Sequence, residues 1–295
     1  MTLLEVRGLA KTFPGRSAPA VDDVSFTLDA GSALGLVGES GSGKSTTARL
    51  VAGLIRADAG SVSFDGTEVV GAPRSRLRDV RRSMQFVFQD PFSSLNPRMT
   101  VSELVGEGLI VHGIERDRSR RLDRVVETLE SVGLRAEHLD RYPRSFSGGQ
   151  RQRIAIARAV AVGPRVLICD EPVSSLDVSV QAQVLNLLAD LRERTGISLL
   201  FIAHDLAVVR YLCDRVAVMN TGRIVEQGSR DQVYDDPKHP YTRSLLAAVP
   251  VPDPTAERAR RAASLAGAGP VLVPRSSGAT TGVTAPTDQH PRRTP

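Results

Sequence analysis

Hydrophobic and polar positions alternate in two segments near the N-terminus, Leu3 to Gly8 and Val21 to Asp29, where Val24, Phe26 and Leu28 share one face. A period of two belongs to a strand that buries one side. A third alternating segment runs from Gly60 to Gly66 between bounding glycines. Four other apolar runs do not alternate: Ala33–Val37, Met84–Phe88, Val166–Cys169 and Ser198–Ala203. Unbroken runs of this kind predict strands covered on both faces, as in a parallel sheet. Val216–Asn220 and Arg223–Glu226 predict a hairpin around Thr221-Gly222. From Thr100 to about Pro164 the period becomes helical, through Val101, Leu104, Val105 and Leu109, then Leu122, Val125, Val126, Leu129 and Val132. No strand-like run interrupts it, so the pattern predicts an α/β fold carrying an all-helical insertion.

The chemistry-bearing residues fall where the apolar runs end. After Ala33–Val37 the chain reads Gly38-Glu39-Ser40-Gly41-Ser42-Gly43-Lys44-Ser45-Thr46, and a helical pattern follows from Ser45 to Ile55. Gly38, Gly43, Lys44 and Ser45 satisfy the phosphate-loop template in its required strand-to-helix setting. Glycines let the backbone turn its N–H groups inward around a polyphosphate, and the helix adds the positive end of its dipole. Lys44 is then expected at the β- and γ-phosphates, with the Ser45 hydroxyl as a magnesium ligand.

Val166–Cys169 runs into Asp170-Glu171-Pro172. Open α/β sheets bind ligands at the carboxyl ends of their strands. Asp170 is expected to hold magnesium, and Glu171 to orient or deprotonate an attacking water. Gln89, after Met84–Phe88, can reach the same metal or water. His204, after Ser198–Ala203, either donates to the γ-phosphate or is a structural histidine. Phe13 either stacks on a purine base or fills the core. Ser147-Gly-Gly-Gln150 opens a helix from Arg151 to Val162, as a second anion-binding surface or as an ordinary N-cap. A further helix opens at Ser175-Leu-Asp177 and runs through Leu191.

Composition changes this picture little. No apolar run approaches the ~20 residues of a membrane span, and the N-terminus lacks the charged and apolar regions of a signal peptide, so a cytosolic location is expected. Cys169 and Cys213 are too few for a disulfide framework and are expected to be small buried apolar residues. The net charge is +5, but residues 251–295 carry six arginines against three acids, so the excess belongs mainly to the tail and no nucleic-acid partner is expected. From Asp236 a proline-broken segment leads into a short helix. Beyond about Ala263 the composition becomes rich in Ala, Gly, Pro, Ser and Thr, and disorder is expected.

In order, the phosphate loop, Gln89, Ser147-Gly148-Gly149-Gln150, Asp170-Glu171, Ser175-Leu-Asp177 and His204 resemble the ATP-binding subunit of ABC transporters over about residues 1–235. The family usually has leucine before the signature serine, where Phe146 stands here. Phe88-Gln-Asp-Pro-Phe-Ser-Ser-Leu-Asn-Pro97, Cys169 to Gln183 and His239-Pro-Tyr-Thr242 are similar to the oligopeptide/dipeptide importer subfamily, and Arg98-Met-Thr100 to its F-type ATPase subunit.

This resemblance implies a P-loop NTPase core of RecA-like type with an N-terminal antiparallel β subdomain and a helical subdomain inserted at about 90–164. It implies an importer-type extension at 236–262, followed by a disordered tail at 263–295. It implies ATP and Mg2+ as cofactors, with Phe13 as the adenine platform and Ser45, Gln89 and Asp170 as metal ligands. Two such chains pair head to tail, so that Ser147 to Gln150 and Asp177 of one close on the ATP held by the other. The expected partners are a D-type ATPase subunit or a second copy, two membrane permeases and an extracytoplasmic solute-binding protein. The expected location is the cytoplasmic face of the membrane. An exporter ATPase and a non-transport ABC protein are the alternatives.

Overall fold

A computed structural model describes residues 1–248. The tail expected to be disordered lies outside the described residues. Among those described, ten strands and ten α-helices follow in chain order: β1 (Thr2–Lys11), β2 (Val21–Asp29), β3 (Ala33–Val37), α1 (Lys44–Val51), β4 (Ala59–Phe64), β5 (Thr67–Glu68), α2 (Arg74–Ser83), β6 (Met84–Val87), α3 (Pro91–Ser94), α4 (Val101–Val111), α5 (Arg118–Ser131), α6 (Gly148–Val160), β7 (Val166–Asp170), α7 (Val178–Thr195), β8 (Ser198–Ala203), α8 (Leu206–Leu212), β9 (Arg215–Asn220), β10 (Arg223–Ser229), α9 (Arg230–Asp235) and α10 (Pro240–Ala247).

The strands form two sheets. One is antiparallel, in the order β2-β1-β4-β5. The other runs β10-β9-β3-β8-β7-β6, parallel throughout except for β10, which returns antiparallel beside β9. The turn between β9 and β10 puts Thr221 and Gly222 at φ 43° and 85°, the paired positive values of a tight hairpin turn that matches strand twist.

The parallel strands read as unbroken apolar runs because both their faces are covered. Alternation persists in three dimensions, where it sorts each strand between two cores. Val37, Leu167, Cys169, Leu199, Phe201, Val216 and Val218 join helices α4 to α8 on one side. Leu34, Leu36, Val166, Ile168, Leu200, Ile202, Ala217 and Met219 join α1 and the antiparallel sheet on the other. Both cysteines are buried and free, as expected of small apolar side chains.

Residues 101–160 contain helices and short 3₁₀ turns without a strand. Their boundaries follow capping chemistry. Thr100 and Glu103 satisfy each other's backbone N–H groups at the start of α4; Asp117 caps α5, and Ser147 with Gln150 caps α6. Periodicity did not predict α2. Its sequence, Arg-Ser-Arg-Leu-Arg-Asp-Val-Arg-Arg-Ser, is mostly charged, with only Leu77 and Val80 marking the face that meets the core.

Phe201 is fully buried in the first core, whereas Ile110 on α4 is 59% exposed. Phe201→Ala is expected to destabilise the chain by about 3–5 kcal/mol, because the emptied volume lies in a sheet covered on both faces. Ile110→Ala should change stability by less than about 0.5 kcal/mol. Urea unfolding of both variants checks the contrast.

Candidate active site

Sheet order brings the expected site residues together. Neighbours β3, β8, β7 and β6 are parallel and nearly in register: Val37 lies opposite Ala203, Asp170 opposite Ile202, and Val87 opposite Cys169. Their carboxyl ends therefore form one edge. The segments leaving it carry, in turn, the phosphate loop, His204, Asp170-Glu171 and Gln89.

The loop between β3 and α1 requires glycine. Gly43 has φ 105°, and a Cβ there would collide with the Ala20 carbonyl oxygen. A Cβ on Gly38, at φ 152°, would strike the Met219 carbonyl. The loop encloses Lys44, which is only 4% exposed. Its Nζ donates to the Gly38 and Glu39 carbonyl oxygens, each at 2.8 Å. Burial lowers its pKa from the ordinary value, against the opposing pull of Glu171, Asp170 and Glu39. An ammonium held in this way lacks the solvent that would stabilise its charge, and the oxygens of an entering polyphosphate would replace it with negative charge and hydrogen-bond acceptors.

Asp170 has the complementary problem. It is completely buried at the end of β7, and burial raises its carboxyl pKa, against the Ser45 hydroxyl and the Arg49 guanidinium. Ser45 Oγ donates to Asp170 Oδ1 at 2.7 Å. Oδ2 has no hydrogen-bond partner, and the Arg49 guanidinium reaches it only at 3.9 Å. An orphaned carboxylate oxygen beside a serine hydroxyl fits a hard divalent cation. No cluster of three or more His, Cys, Asp or Glu ligands occurs among the described residues. That sparse set suits Mg2+, which takes most of its oxygens from phosphate and water.

Glu171 joins Gln89 and His204. Gln89 Nε2 donates to Glu171 Oε2 at 3.1 Å, and His204 Nδ1 lies 3.3 Å from the same oxygen. Glu171 has φ 46°, unusual for a residue with a side chain, and its N–H donates to the Ile202 carbonyl of β8 at 3.0 Å. Backbone strain of this kind persists only where surrounding contacts fix it. The His204 side chain is 56% exposed, unlike a buried structural histidine.

An open cleft of about 500 Å³ is lined by Phe13, Ser40, Gly41, Gly43, Lys44, Ser45, Thr46, Gln89 and Glu171. Phe13 is half-buried and also stands outside both cores. Arg16 and Ala20 line the cleft as well. Sequence reasoning missed Arg16, which carries no motif, and Arg49, although it follows Ser45 by one helical turn. Ser42 Oγ is buried without a partner inside the loop.

The Ser147 motif lies elsewhere. Ser147, Gly149 and Gln150 line a different opening with Arg153 and Val180. Ser147 Oγ accepts the Gln150 N–H at 3.3 Å, and the Gln150 side chain accepts the Ser147 N–H at 3.1 Å. The N-cap reading is therefore present in the fold. Beside it, Asp177 caps α7 by accepting the Val180 N–H at 3.0 Å. Gly148 packs against Leu176, and Gly149 is pressed so closely on Val180 that no side chain fits.

Residues 21–174 match the family described as ABC transporter, over more than half of the chain. The chain belongs to the ABC transporter family. Residues 225–278 match a second family, described as the C-terminal region of oligopeptide/dipeptide transporters. This ABC chain is 52% identical over 261 residues to an oligopeptide transport ATP-binding protein, OppF, of Bacillus subtilis, covering 88% of this chain and 86% of that one. It is 49% identical to OppF of Salmonella typhimurium, covering 90% and 79%. A solved structure described as a dimeric post-hydrolysis state of the cassette MJ0796, bound to ADP and Pi, matches with TM-score 0.70 at 28% identity, covering 77% of this chain and 99% of that one. The ABC cassette is an ATPase fold, and the α/β class expected from the strand pattern is the one observed.

Gly41 has φ 82°, and a Cβ added there would meet no atom within 4 Å, so Gly41→Ala should cost only backbone strain, of order 1–3 kcal/mol. Gly43→Ala adds a backbone collision to that strain. It should unfold at a lower urea concentration than Gly41→Ala and bind ATP more weakly by calorimetry.

Proposed function

We propose that this chain is the ATP-hydrolysing subunit of an importer for oligopeptides, dipeptides or related small solutes. One coincidence carries the reading: an ATPase edge and an oligopeptide-transporter C-terminal region occur in the same chain. The names of its relatives agree. The cassette spans about residues 1–235, with the helical subdomain inserted at about 90–164, and residues 236–262 form the importer-type extension.

In this reading Lys44 and the loop N–H groups bind the β- and γ-phosphates, and Phe13 receives the adenine. Ser45, Asp170 and Gln89 would hold Mg2+, which when bound neutralises charge developing on the phosphates. Glu171 orients a water in line with the γ-phosphate and accepts its proton. Gln89 restrains the Glu171 carboxylate, and His204 stands ready to donate to the γ-phosphate. The proximity of these three groups supports dividing the roles among them.

Ser147 to Gln150 and Asp177 line no part of this cleft, so a second chain must supply them to the nucleotide. That chain is a D-type ATPase subunit or another copy. Dimeric relatives of the same fold support pairing. ATP then bridges two chains, and hydrolysis releases the bridge.

No described helix is long and apolar enough to cross a membrane. In this reading solute passage belongs to two permease subunits, with delivery by an extracytoplasmic binding protein, a reading that the match to oligopeptide/dipeptide transporters supports. The chain works at the cytoplasmic face of the membrane. A groove between β6 and α6, lined by Phe86, Phe88, Leu95, Ala155 and Arg158, adjoins Gln89 and offers the permease a seat at the junction of core and insertion.

Glu171→Gln should retain ATP binding and lower turnover by about 10²–10⁴-fold. Near-normal hydrolysis would refute the role given to Glu171. Lys44→Ala should weaken ATP binding by roughly tenfold or more, the value of a charge-assisted hydrogen bond. Unchanged affinity by calorimetry would remove Lys44 from the phosphate site.

A further inference from the structure

The peptide group joining Gly38 to Glu39 is gripped from both sides. Its carbonyl oxygen accepts Lys44 Nζ at 2.8 Å. Its N–H donates to the phenol oxygen of Tyr241 at 3.1 Å, across 202 residues of sequence. Tyr241 is on α10, within the stretch that matches the oligopeptide-transporter C-terminal region.

Several contacts fix α10 in place. The Glu226 carboxylate on β10 accepts the N–H groups of Lys238 and His239, at 2.7 and 3.0 Å. The His239 ring caps the helix by accepting the Tyr241 N–H at 3.2 Å. Thr242 is fully buried, and the Tyr241 and Leu245 side chains pack against the helical-side core. The phenol is therefore held to the cassette by an anchored element.

The orientation of a single peptide plane decides whether the Gly38 carbonyl faces Lys44. Rotation of that plane would remove one of the two acceptors that keep the buried ammonium inside the loop. A hydrogen bond to the N–H end of the same plane opposes that rotation.

We propose that Tyr241 is a positioning residue of the nucleotide site, through which the C-terminal extension keeps the phosphate loop formed before ATP arrives. This rests on the ATPase reading of the loop. The phenol bonds to the loop backbone and is not among the residues lining the cleft that holds Lys44, Ser45 and Glu171, so its contribution lies in binding rather than in the chemical step.

The test uses the full-length chain and its Tyr241→Phe variant, which keeps the ring packing and removes only the oxygen acceptor. The KM for ATP, and the Kd for ATP by calorimetry, should rise about three- to tenfold, the range of one net hydrogen bond, with kcat within about twofold. Amide exchange at Glu39 should accelerate in the nucleotide-free variant while the β3 amides keep their protection, a readout that general destabilisation does not give. Tyr241→Ala should lose at least as much ATP affinity. Unchanged affinity and unchanged Glu39 exchange in Tyr241→Phe would overturn the proposal, and so would a fall in kcat at constant KM. A wild-type chain that binds no ATP would instead overturn the nucleotide site itself.

Discussion

Everything at the active edge depends on one buried ammonium group held by the backbone that surrounds it. Lys44 is enclosed in a loop whose glycines bring two carbonyl oxygens within 2.8 Å of its Nζ. Before ATP binds this is a compromise: burial disfavours the charge, and the carbonyls and nearby acids only partly restore what water would give. Asp170, buried one strand over from His204 with an unpartnered oxygen, is the same compromise with the opposite sign. In the proposed reading, a polyphosphate carrying a divalent cation would relieve both at once. Unfavourable solvation of the two charges thus becomes binding energy for the nucleotide.

The parallel sheet makes this arrangement possible. Its strands are covered on both faces, so the two cores hold their ends rigidly, and their close register sets four loop departures side by side. The strain at Glu171 is tolerable because β8 anchors its N–H through Ile202. The Ser147 helix cap stands at a different opening from the phosphate loop, and Asp177 caps the neighbouring helix, so the proposed nucleotide-contacting groups of one chain lie apart. In the proposed reading, ATP would complete its coordination only when two such surfaces meet, which would couple hydrolysis to assembly.

The buried strands were legible in the sequence because each was an unbroken apolar run, and Lys44, Gln89, Asp170, Glu171 and His204 stood out because they follow such runs, whereas Phe13, Ser147 and Asp177 stand elsewhere. Asp170, His204 and Lys44 gained meaning from that position more than from their identity. The Thr221-Gly222 turn was legible for a similar local reason. What escaped was settled by tertiary geometry. Two apolar residues suffice for α2 because both pack into the core shared with the antiparallel sheet. Arg16 enters the cleft from a loop without a motif. The Tyr241 contact joins positions 202 residues apart, and the His-Pro-Tyr-Thr stretch gave a family resemblance but no partner for its phenol. Ser147 was ambiguous between cap and ligand surface; the fold contains the cap, in which Ser147 and Gln150 satisfy each other's backbone N–H groups.

The central claim is that the ATP bound by this chain is completed by a second chain. Light scattering of the Glu171→Gln chain, alone and mixed with a second ATPase subunit of its transporter, tests it most directly. The account predicts that ATP raises the mass to that of two chains and that Ser147→Arg on the facing subunit abolishes the rise. A mass that stays at one chain in both mixtures, with ATP demonstrably bound, would contradict it.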